Sequence, residues 1–152
     1  MSVASVTESS SGFDTPSAGT FETIFAALEA CSRDRIGRMQ PRLLVIPIRD
    51  DAGAVRGGFW GCTLFGWLHA QLLFVPEPLR GRGIGSDLMR VAEREARRRG
   101  CIGSHVTSFS FQAAPFYEKL GYARFGQLDD YPAGHNLQFL SKRFDAPQTA
   151  GA

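Results

Sequence analysis

The sequence predicts a single mixed α/β (α+β) domain, a sheet flanked by helices, and three observations carry that prediction. Runs rich in β-branched and aromatic residues follow one another as "RLLVIPIRD", "GGFWGCTLFGW" and "LHAQLLFV". A glycine-rich turn, "RGRGIG", then opens the strongest helical periodicity of the chain. Beyond it come a strand-like run, a short helix and two closing strand-like runs. No internal repeat or linker divides the 152 residues, a length at which one domain buries roughly two-thirds of its unfolded surface.

The elements follow in order. Residues 1–20 are rich in Ser, Thr and Gly and poor in large apolar groups, so they read as a flexible tail. Residues 21–145 read as the folded domain and 146–152 as a shorter tail. "FETIFAALEAC" has helical spacing, with Phe21, Ile24, Phe25 and Leu28 on one face. The turn-rich "DDAGAVRGG" between the first two strands predicts a hairpin. Pro76 and Pro78 stop the third strand, because proline cannot donate to a ladder. In the next helix Ile84, Leu88, Val91, Ala92 and Ala96 form one apolar stripe, while Asp87, Arg90, Arg94 and Arg97 face away. Arg97, Arg98 and Arg99 suit its negative end, and Gly100 is a natural stop. "IGSHVTSFSF" is then a strand and "APFYEKL" a short helix, with Pro115 in its first turn and Gly121 as its stop. "YARFG" and "NLQFLSKRF" are the closing strands.

Composition excludes several classes. A hydrophobic content of 43% is ordinary for a globular protein, and no apolar run is long enough to cross a bilayer. The net charge of +2 is too small to argue for nucleic acid. The run "RVAEREARRRG" interleaves acids with its arginines, as a solvated helix face does. Cys31, Cys62 and Cys101 are odd in number and form no CxxC pair, which favours buried thiols in a reducing cytosol over disulfides or zinc. His69, His105 and His135 also lack metal-ligand spacing, so no metal is expected. The start of the chain has neither a basic region nor an apolar core of a secretory signal; a cytoplasmic location follows.

A strand that ends in glycines and opens a helix creates an anion site. The first helical N–H groups lack internal partners, and the aligned peptide dipoles add roughly half a positive charge. Gly81, Gly83 and Gly85 let the backbone curl around a diphosphate, and Arg80 and Arg82 add charge. The alternative is a tight turn that merely needs positive φ. A nucleotide P-loop requires a lysine that this turn lacks, and Ser86 stands where a dinucleotide fingerprint needs its third glycine.

"RGRGIG", from Arg80 to Gly85, resembles the acyl-CoA signature of the GNAT superfamily of N-acyltransferases. "FYEKLGY", from Phe116 to Tyr122, is similar to the second signature of that superfamily, and the two stand in the order that fold requires. The resemblance covers roughly Leu43 to Phe144. It implies a mostly antiparallel twisted sheet whose central strands splay apart around the pantetheine of acetyl-CoA. Backbone N–H groups of Gly81, Arg82, Gly83, Ile84, Gly85 and Ser86 would hold the diphosphate beside Arg80. Main-chain groups of Phe74 and Val75 would pair with the pantetheine as an added strand would. Ser110 stands where such proteins often carry an Asn that helps hold cofactor or thioester.

The reaction implied is transfer of an acetyl group to a primary amine of a small molecule or peptide, with no nucleic acid or membrane partner. Relatives of this kind are frequently homodimers. A lysine-like amine is neutral in about one molecule in a few thousand at pH 7, a deficit of roughly 4–5 kcal/mol that a positioned base relieves. Tyr117, aligned with the superfamily's usual tyrosine acid, is the candidate donor to the departing thiolate; packing in the core is its alternative role. His69 is the candidate base, on a strand face that alternation assigns to Gln71, Leu73 and Val75 as well. Its alternatives are a plain sheet-edge histidine and a chain of waters, with His105 and His135 as lesser candidates. Trp60, Asp130, Tyr131 and His135 are the candidate acceptor contacts, because aromatics beside acids suit a cationic amine. An ordinary solvated turn is the alternative there. A non-catalytic CoA-binding module on the same fold is the competing function.

Overall fold

In the computed structural model, residues 17–144 are described, so most of the two expected tails, 1–16 and 145–152, lies outside the described residues. Two compact units divide the chain, residues 1–39 and 40–152. The first contains one helix, α1 (Ala18–Ile36). It starts ahead of the predicted Phe21 because Ser17 caps it, its Oγ accepting from the Thr20 N–H at 3.1 Å. Phe21 and Phe25 stack along it at 5.8 Å between centroids.

The second unit holds β1 (Arg42–Arg49), β2 (Val55–Leu64), β3 (Trp67–Phe74), α2 (Ile84–Arg98), β4 (Gly103–Phe109), α3 (Ala114–Lys119), β5 (Ala123–Asp129) and β6 (Asn136–Arg143). The strands form one sheet in the order β1-β2-β3-β4-β6-β5. Every neighbouring pair is antiparallel except β3 and β4, which are joined through α2 as parallel strands require. Leu44, Phe59, Leu68, Ala70, Val106 and Leu140 project from one sheet face onto Leu88, Met89, Ala92 and Ala96 of α2. That layer is the core.

Three local readings are corrected. Phe65 and Gly66 do not continue a strand: both take positive φ, 47° and 75°, and make the two-residue turn of the β2–β3 hairpin. Val91 falls off the buried stripe of α2, and Met89 and Glu93 take its place. Gln71 is an extra residue in β3, since Gly61 pairs with Ala70 and Trp60 with Leu72. Such a bulge reverses the alternation beyond it. Leu73 therefore faces α2 with Leu68 and Ala70, whereas His69 projects from the opposite face. His69 does not share a face with Leu73 and Val75.

Both helices of this unit end in the same device. At α2 the Cys101 N–H donates to the Ala96 carbonyl at 2.9 Å and Gly100 to that of Arg97 at 2.9 Å. At α3 the corresponding bonds run from Tyr122 to Tyr117 at 3.1 Å and from Gly121 to Glu118 at 3.0 Å. The pattern Y-x-x-x-G-Y thus brings the two tyrosine rings together, 5.8 Å apart and edge to face.

Glu93, only 4% exposed, is the buried charge of the core. Lys142 donates to both its oxygens at 3.1 and 2.8 Å, and the Tyr122 hydroxyl donates to Oε1 at 3.1 Å. This cluster ties α2 to β6 and to the end of α3. At the other flank Arg99 donates to the carbonyls of Arg42 and Leu43 and to Thr63 Oγ1, fastening α2 to the outer strands. Removing one partner of a buried charged cluster strands the other. Glu93→Ala is expected to lower the unfolding free energy by about 3 kcal/mol in urea titration, and a change near zero would show that the cluster contributes nothing.

Candidate active site

β3 and β4 share only four rungs, Trp67 to Ala70 against Gly103 to Val106. β3 then continues along β2 and β4 along β6, so the two diverge. From Gln71 onward the β3 edge toward β4 carries main-chain groups with no ladder partner among the described residues. This edge runs into a groove of about 490 Å³. Its walls include Phe74, Val75, Arg80, Gly81, Gly83, Ile84, Gly85 and Ser86, eight of the residues that sequence reading placed there. Leu79 and Phe116 line it as well and were missed; the sequence signal was present, since Phe116 opens "FYEKLGY".

The glycine turn is shaped for a group with negative charge. Gly81 and Gly83 take φ of 73° and 81°, and a Cβ built on either meets nothing within 4 Å, so the space before them is open. Gly83 is the N-cap of α2, and no side chain caps that end. The N–H groups of Ile84, Gly85 and Ser86 have no partner within the helix, and the first helical bond is donated by Asp87 to Gly83 at 3.0 Å. The Arg80 Nε donates to the Val75 carbonyl at 3.0 Å, and its guanidinium lies 5.8 Å from the Phe74 ring. Among the described residues the rest of that fork has no hydrogen-bond partner, and Arg80 is exposed. These features fit a diphosphate followed by an extended amide chain. Arg82 is exposed in the turn, outside the groove walls.

Tyr117 lies one ring behind the groove. It is 6% exposed and packs edge to face on Phe116, a groove wall, at 5.0 Å between centroids. Among the described residues its hydroxyl has no hydrogen-bond partner, and burial pushes its pKa up to about 12. The phenol is therefore a proton donor at neutral pH. Tyr122 is raised further, first by burial, and its hydroxyl is committed to Glu93.

His69 stacks on His105 of β4, the ring centroids 4.3 Å apart. Ser110 sits apart from the groove: its hydroxyl accepts from the Asn136 N–H at 3.2 Å and lies 3.5 Å from His135 Nδ1. It thereby fastens the end of β4 to the β5–β6 hairpin. Around it four rings are contiguous: Phe109 on Phe111 at 5.3 Å, Phe109 with Tyr131 at 6.1 Å and Phe111 with His135 at 4.8 Å. Phe111 and Tyr131 are 56% and 54% exposed, so this is a surface and not core. Asp130, in the same hairpin, turns with φ of 51° and accepts from the Gly134 N–H at 3.4 Å. Trp60 is elsewhere, on β2 opposite Leu72, and shares the face of His69.

Below pH about 10 Tyr117 is protonated in both folded and unfolded chains. Between about 10 and 12 the unfolded chain ionises first, so stability falls as pH rises. Tyr117→Phe removes that contribution: the loss of unfolding free energy over this interval is expected to be about 2 kcal/mol smaller in the variant. Urea titrations at both ends of the interval test it, and equal losses would mean that the phenol is not desolvated.

The acetyltransferase (GNAT) domain family matches residues 42–124. An acetyltransferase of Agrobacterium fabrum is 43% identical over 117 residues, 77% of this chain and 85% of its own. Blasticidin-S acetyltransferase of Streptomyces morookaense is 42% identical over 93 residues, 60% of this chain and 68% of its own. The crystal structure of an acetyltransferase from Bacillus cereus superposes with a TM-score of 0.78 at 30% identity, covering 87% of this chain and 96% of the other. The chain belongs to the GNAT acetyltransferases and uses acetyl-CoA as its acetyl donor.

Proposed function

We propose that this acetyltransferase moves its acetyl group to a primary amine of a small molecule or peptide by direct attack in a ternary complex. The observation that carries this reading is the groove, an unpaired strand edge leading into an uncapped helix N-terminus through left-handed glycines. N–H groups from Gly83 to Ser86 hold the diphosphate, with Arg80 and Arg82 at the rim, and the main chain of Phe74 and Val75 aligns the pantetheine. The Val75 carbonyl is already taken by Arg80, which leaves its N–H for that task. When bound, acetyl-CoA supplies a thioester-activated acetyl group.

The acceptor reaches that group from the sheet face opposite α2, and the gap beyond the Ala70–Val106 rung joins the two faces. His69 projects from the acceptor face and takes the ammonium proton there. Tyr117 supplies the proton that the departing thiolate needs, as its unpartnered and un-ionised phenol allows. The exposed rings of Phe111, Tyr131 and His135, with Asp130 in the same hairpin, support a cationic acceptor. Trp60, on β2, is a separate aromatic contact on the sheet face that His69 shares. A relative 42% identical that is by name a blasticidin-S acetyltransferase supports a small-molecule acceptor.

Thiol release measured against a panel of amines tests the activity. Binding of acetyl-CoA without turnover on any amine would reduce the chain to a CoA-binding module. Tyr117→Phe is expected to lower kcat about a hundredfold with little change in acetyl-CoA affinity, and an unchanged kcat would remove Tyr117 from the chemistry. Gly83→Ala places a Cβ in the open cradle at positive φ, a strain of about 1–2 kcal/mol. Calorimetry is expected to show acetyl-CoA bound about tenfold more weakly; equal affinity would put the diphosphate elsewhere.

A further inference from the structure

The strand edge and the glycine turn, the two halves of the groove, meet at Val75 and Arg80. Val75 follows the last residue of β3, and the proline after it biases it toward extended backbone. The Phe74 carbonyl faces β2, lying 2.5 Å from the point where a Cβ on Gly57 would stand. Successive carbonyls of an extended chain point to opposite sides, so that of Val75 is directed at the open edge. The Val75 side chain rests on the first turn of α2, its Cγ2 3.6 Å from the corresponding point on Gly85. In the free protein this carbonyl is occupied. Arg80 Nε donates to it at 3.0 Å, and the guanidinium lies 5.8 Å from the Phe74 ring. Arg80 is exposed and lines the groove, as Val75 does. Directly after it, at Gly81, begins the open left-handed turn that runs to the uncapped end of α2.

We propose that Arg80 is a specificity-determining residue: without a diphosphate its guanidinium holds the Val75 carbonyl, and a diphosphate in the glycine turn draws it away, freeing that carbonyl for a pantetheine amide. This rests on the reading of the glycine turn as the diphosphate cradle. The two partners of Arg80 differ in strength. A guanidinium bonded to a neutral carbonyl at an exposed site gains little over water, whereas one facing phosphate makes charge-assisted and often bidentate bonds. The phosphate therefore takes the side chain. The reach is short, because Arg80 adjoins Gly81 and its terminal nitrogens have no hydrogen-bond partner among the described residues. A carbonyl oxygen has two lone pairs, but an added strand must approach along the open edge, where the guanidinium stands. The diphosphate and pantetheine ends of the carrier are thereby coupled. A pantetheine thioester without the diphosphate meets a blocked carbonyl, so the chain prefers CoA thioesters by more than the diphosphate contacts alone provide.

NMR titration of the full chain with pantetheine, which carries both amides and no phosphate, and with acetyl-CoA tests this, together with Arg80→Met and Gly83→Ala. Methionine keeps an apolar stem beside Phe74 and removes the donor. Arg80→Met is expected to bind pantetheine about threefold more tightly and acetyl-CoA about tenfold more weakly, two changes of opposite sign. An arginine that merely held the turn in place would lower both affinities or neither. Pantetheine affinity unchanged or lowered in Arg80→Met, while Gly83→Ala weakens acetyl-CoA, overturns the proposal and leaves the cradle standing. Acetyl-CoA affinity untouched by Gly83→Ala overturns the cradle and the proposal together.

Discussion

The β3–β4 ladder stops after four rungs, and the site depends on that interruption. Backbone amides must find partners, and a strand edge left open in the middle of a sheet is a template for another extended chain. Here the opening is held by β2 on one side and β6 on the other, each paired along its own neighbour past the point of divergence. The gap is therefore rigid. It stays open because both flanking ladders would have to shear for it to close.

The single extra residue at Gln71 has an effect out of proportion to its size. By reversing alternation it turns Leu73 and Val75 toward α2, where they wall the groove, and leaves His69 on the far face beside His105. Groove-lining residues and His69 are thus sorted onto opposite faces of one strand. The glycine turn completes the groove, placing an uncapped helix end where the open edge finishes.

The rest of the sheet unit holds that helix in place. Glu93 is bonded by Lys142 and Tyr122, and Tyr122 is set against Tyr117 by the turn at Gly121. Arg99 fastens the opposite end of α2 to β1 and β2. The aim of the α2 N-terminus is consequently set by contacts at its far end and along its buried face.

The order of strands and helices was legible in the sequence because each element there satisfies its own local rule. Pro76 and Pro78 end β3, Gly100 ends α2, and the stripe through Leu88, Ala92 and Ala96 defines a helix whatever it packs on. Most of the groove was legible for the same reason, since glycines at a strand-to-helix turn form an anion site from backbone alone. The side-chain partners were not. Alternation counted from Val75 put His69 on the wrong face, because one unpaired residue in a ladder leaves no mark in a single strand. Phe65 looked like strand because its positive φ is imposed by the hairpin and not by its side chain. Ser110 meets the β5–β6 hairpin through a hydroxyl that accepts from the Asn136 N–H, a contact that no single segment announces. The chain alone determined which segments form helix, strand and glycine cradle, since those follow from periodicity and backbone freedom within a few residues. The tertiary structure decided which side chains meet, because register, bulge and splay are properties of pairs of strands and no one strand encodes them.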